Sequence, residues 1–314
     1  MYKSFLSIVA AIILAPIPCM AGDWGLVKIS VASLRTEPRQ SAELDTQALM
    51  GTPLRLLDRD GEWVKAELPD GCIDWINESG FVEIDSCDYE RWRQAERHVV
   101  TSLYEIKAYS DSVSASSACV VTDLVNGCIV ESDGSIHAGR MLVRLPDGTP
   151  AYADPAAFEP LAQWVQEPYS VDKLMDMAYS MTGTPYLWGG TSTKLNDCSG
   201  FTRICYLHAA KALLPRNASQ QALVGTAIYE TDSLRRGDLL FFLNPSTGRV
   251  NHVGIYDADG YFIHSSGRVK VNHLDPSHPD FCHKVFSHAV RLYDGDTGRA
   301  LVPMHRIADS QWYF

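Results

Sequence analysis

Short stretches in which apolar and polar residues alternate fill the first half of the chain. L-V-K-I-S-V-A-S-L-R, T-P-L-R-L-L-D, E-W-V-K-A-E-L and C-I-D-W-I follow one another between residues 24 and 85, divided by turns such as Arg59-Asp60-Gly61 and Pro69-Asp70-Gly71. Period-two alternation interrupted every few residues by turn chemistry predicts a small β-barrel. Residues 98–160 repeat the rhythm more loosely. Both segments reach an L-P-D-G turn, at Leu68–Gly71 and at Leu145–Gly148, which supports an internal repeat. The charged run 90–97 has helical spacing and would link the two barrels. Residues 163–169 would form a second linker, leading into a helix over 171–181.

The pattern changes character at 185–200, P-Y-L-W-G-G-T-S-T-K-L-N-D-C-S-G, where glycines and small polar residues precede apolar positions Phe201, Ile204, Cys205, His208, Ala209 and Ala212. That spacing fits one face of a helix beginning at Cys198, with Asp197 as its N-cap. A thiol in a first turn feels the positive end of the helix dipole, which favours the thiolate and makes Cys198 a candidate nucleophile. A base is offered by N-H-V-G-I-Y-D-A-D-G-Y-F-I-H-S-S-G, residues 251–267, whose alternation around 257–260 predicts a hairpin. A loop centred on Ala258 would set His252 opposite His264, both on one face, whereas a slip of one residue would separate them. Cys198, His252 and His264 then form a nucleophile, a base and the group that orients the base.

Residues 1–21 carry Lys3, an apolar run and a small-residue ending, the pattern of a secretory leader cleaved after Ala21. Loss of Lys3 with that leader would take the formal charge from −11 to −12. An acidic surface argues against nucleic acid, and no later apolar stretch is long enough to span a bilayer. The product is expected to be exported, periplasmic or associated with the cell envelope, and a monomer. Of the eight cysteines, Cys19 leaves with the leader, and the odd remainder suits one catalytic thiol. Cys205 is expected in the core, and a disulfide among Cys72, Cys87, Cys119 and Cys128 is open.

Y-L-W-G-G, D-C-S-G-F, R-G-D-L-L-F-F, H-V-G-I-Y and I-H-S-S-G, in this order, resemble the NlpC-type cell-wall cysteine peptidases, a circularly permuted papain-like family. The likeness covers roughly residues 169–314. V-A-S-L-R-T-E-P, Q-A-L-M-G-T-P and D-G-C-I-D-W-I resemble bacterial SH3-like domains. The expected class is therefore α+β: a leader over 1–21, SH3-like barrels over 22–86 and, after a linker helix, 87–165, and a papain-like domain over 166–314. The resemblance implies Cys198, His252 and His264 as the triad, with Tyr186 helping to hold the oxyanion and no metal or organic cofactor.

Tandem barrels on such a domain resemble the γ-D-glutamyl-L-diamino-acid endopeptidases, which cut stem peptides of peptidoglycan that carry a free N-terminal L-alanine. That likeness makes Glu43 the carboxylate for the alanine ammonium and brings in Asp197, Ser199, Arg216 and Asn217 as substrate contacts. Two positions depart from it: Cys72 stands where the turn D-G-Y-x-G-W has tyrosine, and Asn217 where aspartate is usual. They keep two alternatives open, an endopeptidase on intact peptidoglycan and a non-catalytic wall-binding protein. Trp63 and Trp188 are expected in the core. The run His273, His278, Cys282, His283 and His288 lacks a regular ligand spacing and reads as a solvated loop.

Overall fold

A computed structural model describes residues 22–114, 116–295 and 297–314; the expected leader over 1–21 lies outside the described residues. The first unit is a seven-stranded antiparallel sheet from Trp24–Val27 to Phe81–Ile84. Alternation builds it: in Trp63–Glu67 the even positions Val64 and Ala66 are buried and meet Val27, Leu34, Leu54 and Ile76 in one core. A second sheet, eight strands from Arg97–Val100 to Phe158–Pro160, closes on its own core around Ala108, Val130 and Val143.

The shared L-P-D-G signal forms the same turn twice. Gly71 N–H donates to Leu68 O at 2.9 Å and Gly148 N–H to Leu145 O at 2.8 Å. Both glycines have φ near +85°, at +84° and +86°, where a β-carbon is strained. The helix between the sheets occupies Ser86–Gln94 rather than 90–97, because Asp85 caps it by accepting from Asp88 N–H at 2.8 Å, while Arg97 is already a strand residue. Cys72, Cys119 and Cys128 are free thiols, so no disulfide forms within this set of four, while Cys87 is disulfide-bonded outside it.

The third unit packs two helices, Val171–Ser180 and Cys198–Ala210, onto a six-stranded antiparallel sheet. Strand order from one edge is 226–228, 285–291, 239–243, 250–256, 261–266, 268–273. Phe201, Ile204 and Cys205 from the helix and Phe241, Val253, Ile255 and Ile263 from the sheet share one core. Gly200 sets the helix against the preceding loop, since a β-carbon there would lie 2.0 Å from Gly190 O.

The first barrel seats its edge strand Leu44–Leu49 on this unit, covering the hydrogen-bonding row that an edge strand otherwise exposes. Alternate polar residues do the docking: Glu43 accepts from the Trp188 indole at 2.6 Å, and Gln47 exchanges backbone and side-chain bonds with Thr191 at 2.9–3.1 Å. A buried Arg203–Asp70 ion pair reinforces the junction. Among the described residues no helix is long and apolar enough to cross a membrane.

Candidate active site

Cys198 is the first residue of its helix and only 7 % exposed. Asp197 caps it: Oδ1 accepts from Gly200 N–H at 2.7 Å, and Oδ2 accepts from Gly189 N–H at 3.0 Å. Arg216 grips the same carboxylate with Nη1 on Oδ1 at 3.3 Å and Nη2 on Oδ2 at 2.5 Å, gives Nη1 to Ser199 Oγ at 3.0 Å and Nε to Asp45 O at 2.7 Å. Ser199 in turn donates to Asp197 Oδ1 at 3.1 Å. The lone pairs of Asp197, the hydroxyl hydrogen of Ser199 and most of the Arg216 fork are thus consumed inside the protein. These three residues, expected to touch substrate, line the cleft beside Cys198 and hold one another there.

The expectation of a thiolate is corrected by the same geometry. Burial pushes the Cys198 thiol up to about 11, the Asp197 carboxylate adds to the rise, and the Val253 and Ser199 N–H groups with Arg216 only partly offset it. Desolvation outweighs the helix start.

The candidate base His252 lies on strand Val250–Tyr256, and His264 on its partner Tyr261–Ser266. Their register is Ile255 opposite Ile263 and Tyr256 opposite Phe262, two residues from the expected pairing, because the loop centres on Asp259, whose φ of +52° makes the turn with Gly260. A shift of two preserves the face, so the histidines still meet: His252 Nε2 lies 2.6 Å from His264 Nδ1. A bulge at Asn251, where Phe242 pairs with His252 but Leu243 with Val250, immediately precedes His252, and bulges beside a site re-aim side chains. Cys198 and Val253, the neighbour of His252, share one buried core, and the Val253 N–H favours charge on the Cys198 sulfur. Among the described residues no hydrogen bond joins Sγ of Cys198 to the His252 ring. Such bonds often tighten only when substrate binds. Burial first, then the charge of His264, holds the His252 imidazole well below its ordinary range, so thiol and imidazole rest neutral.

A cleft of ≈ 340 Å³ opens beside the sulfur, lined by Asp45, Tyr186, Trp188, Arg216, Asn217 and Val250 among others. Tyr186 is half-buried, and burial together with the nearby Cys198 and Asp197 charges keeps its phenol protonated, able to donate. Trp188 is not a core residue: it is 62 % exposed on the cleft wall. Asn217 lines the cleft and begins the short Ala218–Gln221 helix, its N–H held by Gln220 Oε1 at 3.1 Å. Glu43 is bound to Trp188 and is not among the cleft-lining residues, whereas Asp45, two positions on, is. Cys72 lies in an adjoining cavity of ≈ 550 Å³ that shares Asp45, Arg216 and Asn217, with its thiol pushed up to about 12 by burial and then by Asp70. Asp74 borders that cavity, and burial, then the neighbouring Asp45 carboxylate, raise its pKa to about 7.

Asp45 and Asn272 were missed from the sequence. The first was detectable, because Glu43, Asp45 and Gln47 form one polar period-two face; the second accepts from His264 Nε2 at 2.8 Å and is considered below. The histidine run is only partly a solvated loop. His273 is buried, with Nε2 2.8 Å from Asp259 O, and Cys282 is buried as well.

The NlpC/P60 family matches residues 183–290, and the bacterial dipeptidyl-peptidase Sh3 domain matches residues 34–81. A gamma-D-glutamyl-L-lysine dipeptidyl-peptidase of Bacillus cereus is 28 % identical over 237 residues, 71 % of this chain and 67 % of the relative. A probable endopeptidase of Haemophilus influenzae is 33 % identical over 110 residues, 35 % of this chain and 68 % of the relative. The crystal structure of an NlpC/P60 family protein from Bacillus cereus superposes with a TM-score of 0.73 at 23 % identity, over 85 % of this chain and 99 % of that one, which speaks for the fold. With a buried cysteine heading its helix beside a coupled histidine pair, and with these matches running through both the barrel and the site, the chain belongs to the NlpC/P60 family of cell-wall peptidases and is a hydrolase.

Proposed function

We propose that this hydrolase cuts the bond between γ-D-glutamate and an L-diamino acid in peptidoglycan stem peptides that carry a free N-terminal L-alanine. The observation that carries the reading is the barrel edge Leu44–Leu49, which walls one end of the Cys198 cleft and sets an Asp45 carboxylate on that wall. A walled groove leaves room for few residues beyond the scissile bond, and a carboxylate at its end pairs with an ammonium. The name of the Bacillus cereus relative supports the same bond.

In this mechanism His252 takes the Cys198 proton as sulfur attacks the amide carbonyl. The oxyanion accepts from the Cys198 backbone N–H and the Tyr186 hydroxyl, His252 protonates the leaving amine, and water hydrolyses the thioester. His264 orients His252. Asp197, Ser199 and Arg216 position the nucleophile helix, and Asn217 with Asp45 or Glu43 meets the alanine end.

The test is incubation with L-Ala-γ-D-Glu-diaminopimelate, its N-acetylated form and polymeric wall. Release of L-Ala-γ-D-Glu from the free peptide, lost in Cys198→Ala, is expected. Preference for acetylated peptide or polymer would replace the free-amine reading with an endopeptidase on intact wall, the alternative that Cys72 and Asn217 motivate. No cleavage of any of the three would leave wall binding as the reading.

A further inference from the structure

Three hydrogen bonds run in series behind the base. His252 Nε2 lies 2.6 Å from His264 Nδ1, His264 Nε2 lies 2.8 Å from Asn272 Oδ1, and Asn272 Nδ2 donates to Asp280 O at 2.8 Å. The last of these decides the other two. A backbone carbonyl can only accept, so the amide of Asn272 must turn its nitrogen to Asp280 and its oxygen to His264. An amide oxygen likewise only accepts, so His264 carries its proton on Nε2. A neutral imidazole has one proton, which leaves His264 Nδ1 an acceptor for the Nε2–H of His252. By the same count His252 Nδ1 is unprotonated.

We propose that Asn272 is a positioning residue that selects the tautomer of His264 and, through it, leaves Nδ1 of His252 free to take the Cys198 proton. The inference rests on the catalytic reading of Cys198 and His252. When the proton passes from Sγ to His252 Nδ1, the Nε2–H stays on His252 and its bond to His264 becomes charge-assisted, while His264 remains neutral. Without Asn272 the opposite tautomer becomes accessible to His264. Its Nδ1–H would face His252 Nε2 and drive the His252 proton onto Nδ1, the atom needed as base.

Geometry places Asn272 for this. Strand Arg268–His273 pairs with Tyr261–Ser266 so that His264 faces Lys270 directly and Asn272 is the diagonal neighbour on the same face. The charged groups bearing on the pair are Lys270 on that strand and Lys284 in the following loop, both of which oppose protonation of the rings.

The experiment compares Asn272→Ala and Asn272→Asp in peptide hydrolysis across pH, with ring-nitrogen NMR of the histidines and Cys198→Ala as control. Asn272→Ala is expected to lower kcat by about 10- to 100-fold with KM little changed, by analogy with groups that orient metal-ligating histidines from behind. Its spectrum should show both His264 tautomers, where the unsubstituted protein shows protonation at Nε2 alone. Asn272→Asp restores the acceptor, so it should recover most of kcat and move the acid limb to higher pH, because a carboxylate favours the imidazolium. A single unchanged tautomer in Asn272→Ala, or equal losses in both variants with the acid limb unmoved, would overturn the proposal. Hydrolysis surviving in Cys198→Ala would instead sink the catalytic reading, and the nitrogen spectra would still decide the tautomer.

Discussion

His252 and His264 touch through ring nitrogens 2.6 Å apart, although twelve residues and a turn separate them and their strands are paired two residues out of the expected register. The contact is tight and dry: His252 is 5 % exposed and His264 1 %. In the proposed mechanism a neutral imidazole takes the orienting task that a carboxylate performs in many triads, with no charge to add to the buried site.

Neutrality sets the pH response. Burial first holds His264 down to about 4 from an ordinary 6.5, with the Asn272 bond only partly offsetting it, and His252 is displaced in the same direction. The neutral base therefore persists below the usual imidazole range, and the acid limb of kcat/KM is expected under about pH 6, a position a pH profile would check. The stability sign follows from linkage. An unfolded histidine binds its proton near 6.5 while the folded one resists to about 4, so stability is complete above 6.5 and falls as pH drops through that window. Denaturant midpoints measured from pH 7 to pH 4 should decline accordingly.

Burial favours the thiol form of Cys198. With its pKa pushed up to about 11 by burial and Asp197, alkylation by iodoacetamide should climb steadily into the alkaline range. A plateau of rapid alkylation between about pH 5 and pH 8 would mean a preformed thiolate–imidazolium pair and would contradict the desolvated site.

Arg216→Ala removes the partner of a buried carboxylate. Asp197 and Arg216 are each 6 % exposed at the side chain, and the loss of one leaves the other uncompensated, which costs about 3–5 kcal/mol. Urea denaturation should register it. Arg216→Lys should rescue poorly, because an ammonium cannot reach Asp197, Ser199 and Asp45 O together.

Gly200→Ala tests the close approach at the nucleophile helix. Its β-carbon would meet backbone, Gly190 O at 2.0 Å, so the helix must move away from the loop that carries Gly189 and Trp188. The expected result is a fall in melting temperature together with lost hydrolysis. Wild-type melting and activity would show that the helix start is not pinned there.

How much of this was legible beforehand depends on how far each feature reaches along the chain. Asp197 before Cys198 announced the cap, and the cap formed, because an N-cap is a bond between residues three apart. Period-two alternation assigned His252 and His264 to one face even with the loop misplaced, since a two-residue slip leaves side-chain direction unchanged. The repeated L-P-D-G turns and the family motifs were local in the same sense.

Features that depend on another unit were not available. Glu43 and Asp45 share one polar face, and only the docked Trp188 decides that the former is engaged while the latter borders the cleft. Asp197, Ser199 and Arg216 carry the chemistry of substrate contacts, and only folding brings them within bonding distance of one another on the cleft lining. The thiol went the same way: a first-turn cysteine predicts an acidic sulfur, and the sheet that buries it reverses the sign. Sequence alone determined which groups exist and which local bonds they make; tertiary packing decided which remain unspent at the cleft, because hydrogen-bonding capacity and solvation are exhausted by neighbours distant along the chain.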